Sequence, residues 1–206
     1  MQRYRGVCQT REVIEPGLTS FAAIVVAGGQ ATRLGGADKA SIEMRGRTLL
    51  EHTLDAVIDA AEVVVVGQHV PTDRPVTFVV EDPKYGGPVA ALLTGRDSLL
   101  RSFPWLAVLA VDMPFVTAAT IRRLQEAAVG HDGAVLASPE GRRQLAFVVD
   151  TARLDQVRPD REGQHGHPLW PMLEALDMVL VPALAQEHRD VDTWTDLRDL
   201  AGEPEV

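Results

Sequence analysis

Short apolar runs without polar alternation punctuate this chain: residues 21–27, 62–66, 76–80 and 105–111 are rich in valine, leucine and alanine. A half-exposed strand alternates apolar and polar side chains, so unbroken runs of this length predict strands covered on both faces. Between the runs the apolar spacing turns helical. Over residues 48–60, Leu50, Leu54, Val57 and Ile58 fall at helical spacing. Residues 88–100 open on Pro88, which suits a first helical turn. Residues 118–128 follow Thr117, a candidate N-cap, and place Ile121 and Leu124 on one face. Strands alternating with helices predict βαβ units, hence a mainly parallel sheet with helices on both sides.

Beyond Gly130 the pattern loosens. Residues 134–137 and 145–149 predict two further strands, joined by a turn at Pro139-Glu140-Gly141. Residues 158–167 are polar, contain two glycines, and are expected to form a mobile loop. A helix over 169–176, a strand over 178–181 and a last helix from Thr195 complete the expected domain. The fold class that follows is α/β, a three-layer α/β/α arrangement with a mainly parallel, Rossmann-like sheet. Residues 21–206 are expected to form one domain, and residues 1–20 a disordered N-terminal extension.

Composition narrows the function classes. A chain of 206 residues, 46% hydrophobic and 24% charged, can bury a core of ordinary globular size. Its net charge of -9 argues against general nucleic-acid binding, which needs a basic face. An anionic small substrate stays compatible, because a local cationic cluster sets the potential inside a cleft. Cys8 is the only cysteine, which excludes an intrachain disulfide and a cysteine metal cage. No apolar run reaches transmembrane length, and residues 1–20 lack the apolar stretch of a signal peptide. A cytoplasmic protein with no membrane partner is the expectation.

The chemistry concentrates in the loop after the first predicted strand. Ala27-Gly28-Gly29 is followed by Arg33-Leu34-Gly35-Gly36-Ala37-Asp38-Lys39. Small residues admit close backbone approach, their N–H groups face an anion, and Arg33 and Lys39 neutralise it. That make-up suits a phosphate cradle. The glycine spacing excludes G-x-G-x-x-G, and Lys39, flanked by Asp38 and Ala40, excludes G-x-x-x-x-G-K-[ST]. A solvated surface lysine is the alternative for Lys39; the neighbouring Arg33 and glycines favour phosphate contact. Asp38 is read as a carboxylate that orients Arg33 or Lys39.

Ligands of open α/β sheets bind at the carboxyl ends of the strands. That rule gathers the glycine loop, Gly67-Gln68, Glu81-Asp82 through Gly86-Gly87-Pro88, and Asp112-Met113-Pro114-Phe115 around one crevice. Asp112 ends an apolar run where an unpaired carboxylate is costly to bury. Beside a phosphate cradle its natural role is a Mg²⁺ ligand, the alternative being a cap ahead of Met113-Pro114. Gly86-Gly87-Pro88 reads either as ordinary turn punctuation or as close backbone approach to a nucleotide, with Asp82 accepting hydrogen bonds. Asp190-Val191-Asp192-Thr193 offers a second carboxylate pair, with helix capping by Asp192 or Thr193 an equal alternative. His165 and His167 have no third partner by spacing, Trp170 and Trp194 read as packing residues, and no serine sits in a strained elbow.

With these residues assembled, the chain resembles the molybdenum cofactor guanylyltransferases, the MobA-like nucleotidyltransferases, from about residue 21 to residue 197. Val26-Ala27-Gly28-Gly29 with Arg33-Leu34-Gly35 and Asp38-Lys39 is similar to the family's L-A-G-G-x-x-x-R-M-G-x-D-K loop, with one extra residue before Asp38. Gly87-Pro88 resembles its G-P-L-A-G segment, with Ala91 for the last glycine. Val111-Asp112-Met113-Pro114-Phe115 is similar to its D-x-P-F motif. Asp190-Val191-Asp192-Thr193 resembles its N-x-N-T-P-E-D-L ending, with aspartates for asparagines and Trp194 for proline.

The resemblance implies a GT-A-like nucleotidyltransferase fold. It implies that the backbone at Val26, Ala27, Gly28, Gly29 and Gly87 holds the nucleotide. Arg33 and Lys39 would be the catalytic cations on its phosphates, and Asp82 would contact the nucleotide. Asp112 would be catalytic and nucleotide-binding through Mg²⁺, the implied cofactor, with Asp192, alone or with Asp190, completing the metal site. The implied reaction moves GMP from GTP to the phosphate of molybdopterin and releases pyrophosphate. GTP and molybdopterin are then the partners, with cofactor-biosynthesis or molybdoenzyme-chaperone proteins as further candidate contacts. Alternatives are a CTP-using molybdopterin enzyme, a cobamide or sugar-phosphate nucleotidyltransferase, or a non-catalytic nucleotide-binding homologue, towards which Ala91 and the C-terminal aspartates point. Within the resemblance, the Ala27-Gly28-Gly29 start favours guanine. For the acceptor, Arg142-Arg143, Arg158 and Arg161 read as anion-binding groups or as a solvated loop face.

Overall fold

The computed structural model describes residues 20–28, 34–81 and 86–202. The expected extension at residues 1–20, apart from Ser20, lies outside that set, as do Gly29, Arg33 and Asp82. The first strand, β1 (Phe21–Val26), runs parallel between β4 (Glu62–Val66) and β6 (Trp105–Ala110). On one side β5 (Thr77–Val79) adds parallel to β4. On the other side β8 (Arg143–Asp150) pairs antiparallel with β6 and with β7 (Gly133–Ala137), and β9 (Met178–Pro182) pairs parallel with β7. The seven-stranded order is β5-β4-β1-β6-β8-β7-β9, mainly parallel as expected.

Successive β1 side chains explain the unbroken apolar run. Phe21, Ala23 and Val25 join one core layer with residues of α1 (Leu49–Ala56), α3 (Ala118–Ala127) and α6 (Trp194–Ala201). Ala22 and Ile24 point the other way, into a second core with residues of α2 (Gly87–Asp97), α4 (Thr151–Val157) and α5 (Leu169–Leu173). Both faces of the strand are covered, so neither side needs polar alternation. At Gly95 of α2 a Cβ would come 2.5 Å from Ile24 Cγ2, so glycine there lets the helix press onto β1.

The helix starts follow local chemistry. Thr117 caps α3 in a reciprocal bond with Thr120, and Pro88 occupies the first turn of α2, both as expected. Thr48 and Glu51 form a capping box that starts α1 at Leu49. The helix expected over 48–60 stops at Ala56, four residues early, in a turn.

Other departures have simple causes. The run at 76–80 was expected to be covered on both faces, but β5 is an edge strand whose residues are half-buried, and Val80 is 51% exposed. Among the described residues β4 alone pairs with it, which places β5 at the edge of the sheet. The strand expected at 145–149 extends to Arg143–Asp150, because β6 and β7 both pair with it. The two-residue strands β2 (Glu43–Met44) and β3 (Arg47–Thr48), a 3-10 turn at Lys39–Ser41, and α4 were not anticipated; the first three are too short to show a period. Trp170 packs against Phe147, whereas Trp194 is 49% exposed and does not serve as the packing residue expected. Among the described residues, no helix is long and apolar enough to cross a membrane.

Candidate active site

The sheet delivers its loops to one edge. Beyond the strand ends, the ladder continues through Val111 N–H to the Val26 carbonyl (3.0 Å), Ala27 N–H to the Val66 carbonyl (2.9 Å) and Gly67 N–H to the Val79 carbonyl (2.8 Å). Asp112 therefore leaves β6 beside the end of β1. Thr53, buried on α1, donates to the Leu49 carbonyl at 2.9 Å and lies 3.3 Å from the Val111 carbonyl, which ties the helix to the residue before Asp112. After β9 the chain returns to the same place, where Val191 N–H donates to the Asp112 carbonyl at 2.9 Å.

Here three of the residues named from sequence meet. Lys39 Nζ donates to Asp112 Oδ2 at 2.8 Å and to Asp192 Oδ1 at 2.7 Å. Burial alone would lower the lysine, but the charges and hydrogen bonds of Asp112 and Asp192 outweigh it and hold the ammonium above the usual lysine value. Asp190 does the reverse: burial first, then the Asp192 and Asp112 charges, raise its carboxyl above the usual range. The Asp112 and Asp192 side chains both accept from Lys39. Thr193 is the cap of α6, in a reciprocal bond with Asp196.

Asp38 acts through the backbone. Its Oδ1 accepts from Ala40 N–H at 3.3 Å and its carbonyl from Ser41 N–H at 3.1 Å, which folds the 3-10 turn carrying Lys39. The segment before Asp190 is anchored by Glu187, a residue no local pattern marks. Its carboxylate accepts from the Thr120 hydroxyl (2.6 Å), Arg123 (2.8 Å) and Leu184 N–H (2.7 Å).

Val26 is half-buried, Ala27 buried and Gly28 exposed at the mouth of a second group of residues. Glu81 Oε2 accepts from Gly86 N–H at 3.0 Å, and a Cβ on Gly28 would lie 3.3 Å from Glu81 Oε1. Burial raises the Glu81 carboxyl despite the Gly86 N–H and the His165 charge, which lower it. Gly87 begins α2 with φ 86°, a conformation that favours glycine. The polar segment expected as a mobile loop is tied at both ends. Arg158 grips Asp97 through two bonds of 2.7 Å, and Gly166 N–H donates to the Gly86 carbonyl at 2.8 Å. A groove of about 700 Å³ runs between this segment and α2, lined by Glu81, Thr94, Arg161 and His165 among others. Arg158 is thus committed to Asp97. Arg143 lies over the Trp170 ring at 5.9 Å and 3.7 Å from Glu174.

Two carboxylates that converge on one cation match the donor set Mg²⁺ takes in nucleotide sites, where phosphate oxygens and water complete the shell. Asp112 and Asp192 meet that test through their shared hold on the Lys39 ammonium. No three His, Cys, Asp or Glu side chains among the described residues could hold a metal by themselves. Phosphate oxygens and water would complete the shell.

Comparison with known proteins bears on the family and the fold. A "Probable molybdenum cofactor guanylyltransferase" of Methanosarcina acetivorans is 31% identical over 196 residues, covering 87% of this chain and 85% of that protein. A nucleotidyl transferase from Methanothermobacter thermautotrophicus shares the fold with a TM-score of 0.73 at 24% identity, over 89% of this chain and 96% of that one. A Mycobacterium tuberculosis protein solved in complex with manganese shares it with a TM-score of 0.62 at 18% identity, over 90% and 100%. Residues 23–200 match the family described as the MobA-like NTP transferase domain, and the chain belongs to that family.

Proposed function

We propose that this protein transfers GMP from GTP to the phosphate of molybdopterin, releasing pyrophosphate. The observation that carries the proposal is the Lys39–Asp112–Asp192 cluster at the carboxyl edge of the sheet, in a chain whose relative above bears the guanylyltransferase name. A molybdopterin phosphate oxygen attacks the α-phosphorus of GTP; that P–O bond forms as the bond to the β-phosphate oxygen breaks, and its electron pair leaves on pyrophosphate. The attacking phosphate is already anionic at neutral pH, so no side chain has to remove a proton.

The protein's task is then alignment and charge stabilisation. The backbone at Val26 to Gly29 and at Gly87 is assigned to hold the nucleotide, with Asp82 on it. Lys39, with Arg33 as the second cation, neutralises the phosphates and the departing pyrophosphate. Asp112 and Asp192 would hold Mg²⁺, which when bound polarises the phosphoryl oxygens.

Calorimetry of GTP against CTP in the presence of Mg²⁺, followed by pyrophosphate release with molybdopterin, tests the proposal. GTP should bind at least about tenfold tighter, a difference of about 1.4 kcal/mol, and release should require both substrates. A preference for CTP would move the protein to the cytidylyl reading. Tight GTP binding without release would make it a binding homologue.

A further inference from the structure

The Lys39 ammonium stands where a divalent cation must stand if Asp112 and Asp192 are both to bind it. Its two contacts, 2.8 Å and 2.7 Å, are charge-assisted bonds of full strength, one to each carboxylate. We propose that Lys39 is the resident counter-cation of this site, excluding free divalent metal until a triphosphate draws the ammonium away, so that metal and nucleotide enter together. The inference rests on the reading of Asp112 and Asp192 as metal ligands.

Three observations support it. The first is placement. Lys39 is held at the base by the Asp38-capped 3-10 turn, so its side chain is aimed at the carboxylates before any ligand arrives. Only the flexible four-carbon stem has to move for the ammonium to leave, and the backbone bonds of the turn can stay intact. The second is charge. Two carboxylates drawn together at a strand end repel one another, and a cation between them removes that cost. One ammonium does so without a metal.

The third is the second carboxylate, since Asp192 as well as Asp112 accepts from the Lys39 ammonium. An asparagine at 192 would leave Lys39 a single anionic partner among the two it now bridges. Aspartate gives it a second and makes it a stronger competitor for the site. A triphosphate reverses the balance, because its charge attracts the ammonium while its oxygens supply the ligands that Mg²⁺ lacks here. Lys39 then changes partner from carboxylate to phosphate, and Asp112 and Asp192 would hold the metal that accompanies the nucleotide in place of the ammonium.

The test is Mn²⁺ binding to nucleotide-free protein, followed by calorimetry and by the electron paramagnetic resonance of free Mn²⁺. Lys39→Met and Lys39→Gln should each bind Mn²⁺ at least about tenfold tighter than the wild type, since each deletes a competing unit charge at contact distance. Lys39→Arg, which keeps the charge, should stay near the wild type. Adding Asp112→Asn to Lys39→Met should abolish the gain. Wild-type protein that binds Mn²⁺ as tightly as both neutral variants would overturn the exclusion and leave the metal-ligand reading standing. Absence of Mn²⁺ binding in every variant, or binding indifferent to Asp112→Asn, would overturn both.

Discussion

The backbone N–H of Val191 donates to the carbonyl of Asp112 at 2.9 Å, and Val191 itself is fully buried. Burying Val191 fixes the segment beside the point where Asp112 emerges, and the next residue, Asp192, reaches the Lys39 ammonium there. The apolar side chain is the anchor, and the Asp192 carboxylate is what it delivers.

Val191→Ala should therefore lower stability by about 2 kcal/mol through lost burial and a small cavity. It should lower turnover as well, because Asp192 loses its fixed approach to Lys39. Urea unfolding and a steady-state rate check both, and an unchanged midpoint with an unchanged rate would mean the segment is held by something else.

Lys39→Ala and Asp112→Ala should each reduce turnover by about 10²–10³, the usual cost of one preorganised electrostatic contact. Neither side chain belongs to the apolar core, so circular dichroism should change little, whereas the unfolding midpoint of Lys39→Ala should fall because Asp112 and Asp192 lose the cation between them. Wild-type rates in either purified variant would remove that residue from the chemistry.

Glu187 links stability to pH. Burial would raise its carboxyl, but Arg123, the Thr120 hydroxyl and the Leu184 N–H outweigh that and hold it below the ordinary 4.5. A carboxyl depressed in the folded state contributes stability that is complete above its unfolded value and is lost as pH falls through the folded one. The stability difference between wild type and Glu187→Gln should be constant above about pH 4.5 and shrink below it. At neutral pH Glu187→Ala should cost about 3 kcal/mol, because Arg123 loses its carboxylate partner. Urea midpoints across the pH series read both effects, and a pH-independent difference would contradict the assignment.

Gly95→Ala should destabilise by about 1–3 kcal/mol through overpacking, despite alanine's better helix propensity. The added methyl would stand 2.5 Å from Ile24 Cγ2, so α2 must lift off β1. A stabilised variant would show that the contact yields at no cost.

The class of fold was legible in the sequence, and so were the residues proposed here for the chemistry. Buried strands and amphipathic helices write their periods into consecutive residues, so β1, β4, β6 and α3 could be read locally, as could the glycine loop and Asp112. The edge strand β5 was misjudged, because which strands end up on the flank is decided by pairing and not by composition. Glu187 carries no local mark for a related reason: its side-chain partners, Thr120 and Arg123, lie on α3, a distant segment of the chain. Only the tertiary structure decided that Lys39 bridges Asp112 and Asp192, and that Arg158 is spent on Asp97. A charge announces itself in the sequence, but its partner is chosen by the return of a distant segment, here through the bond from Val191 to Asp112.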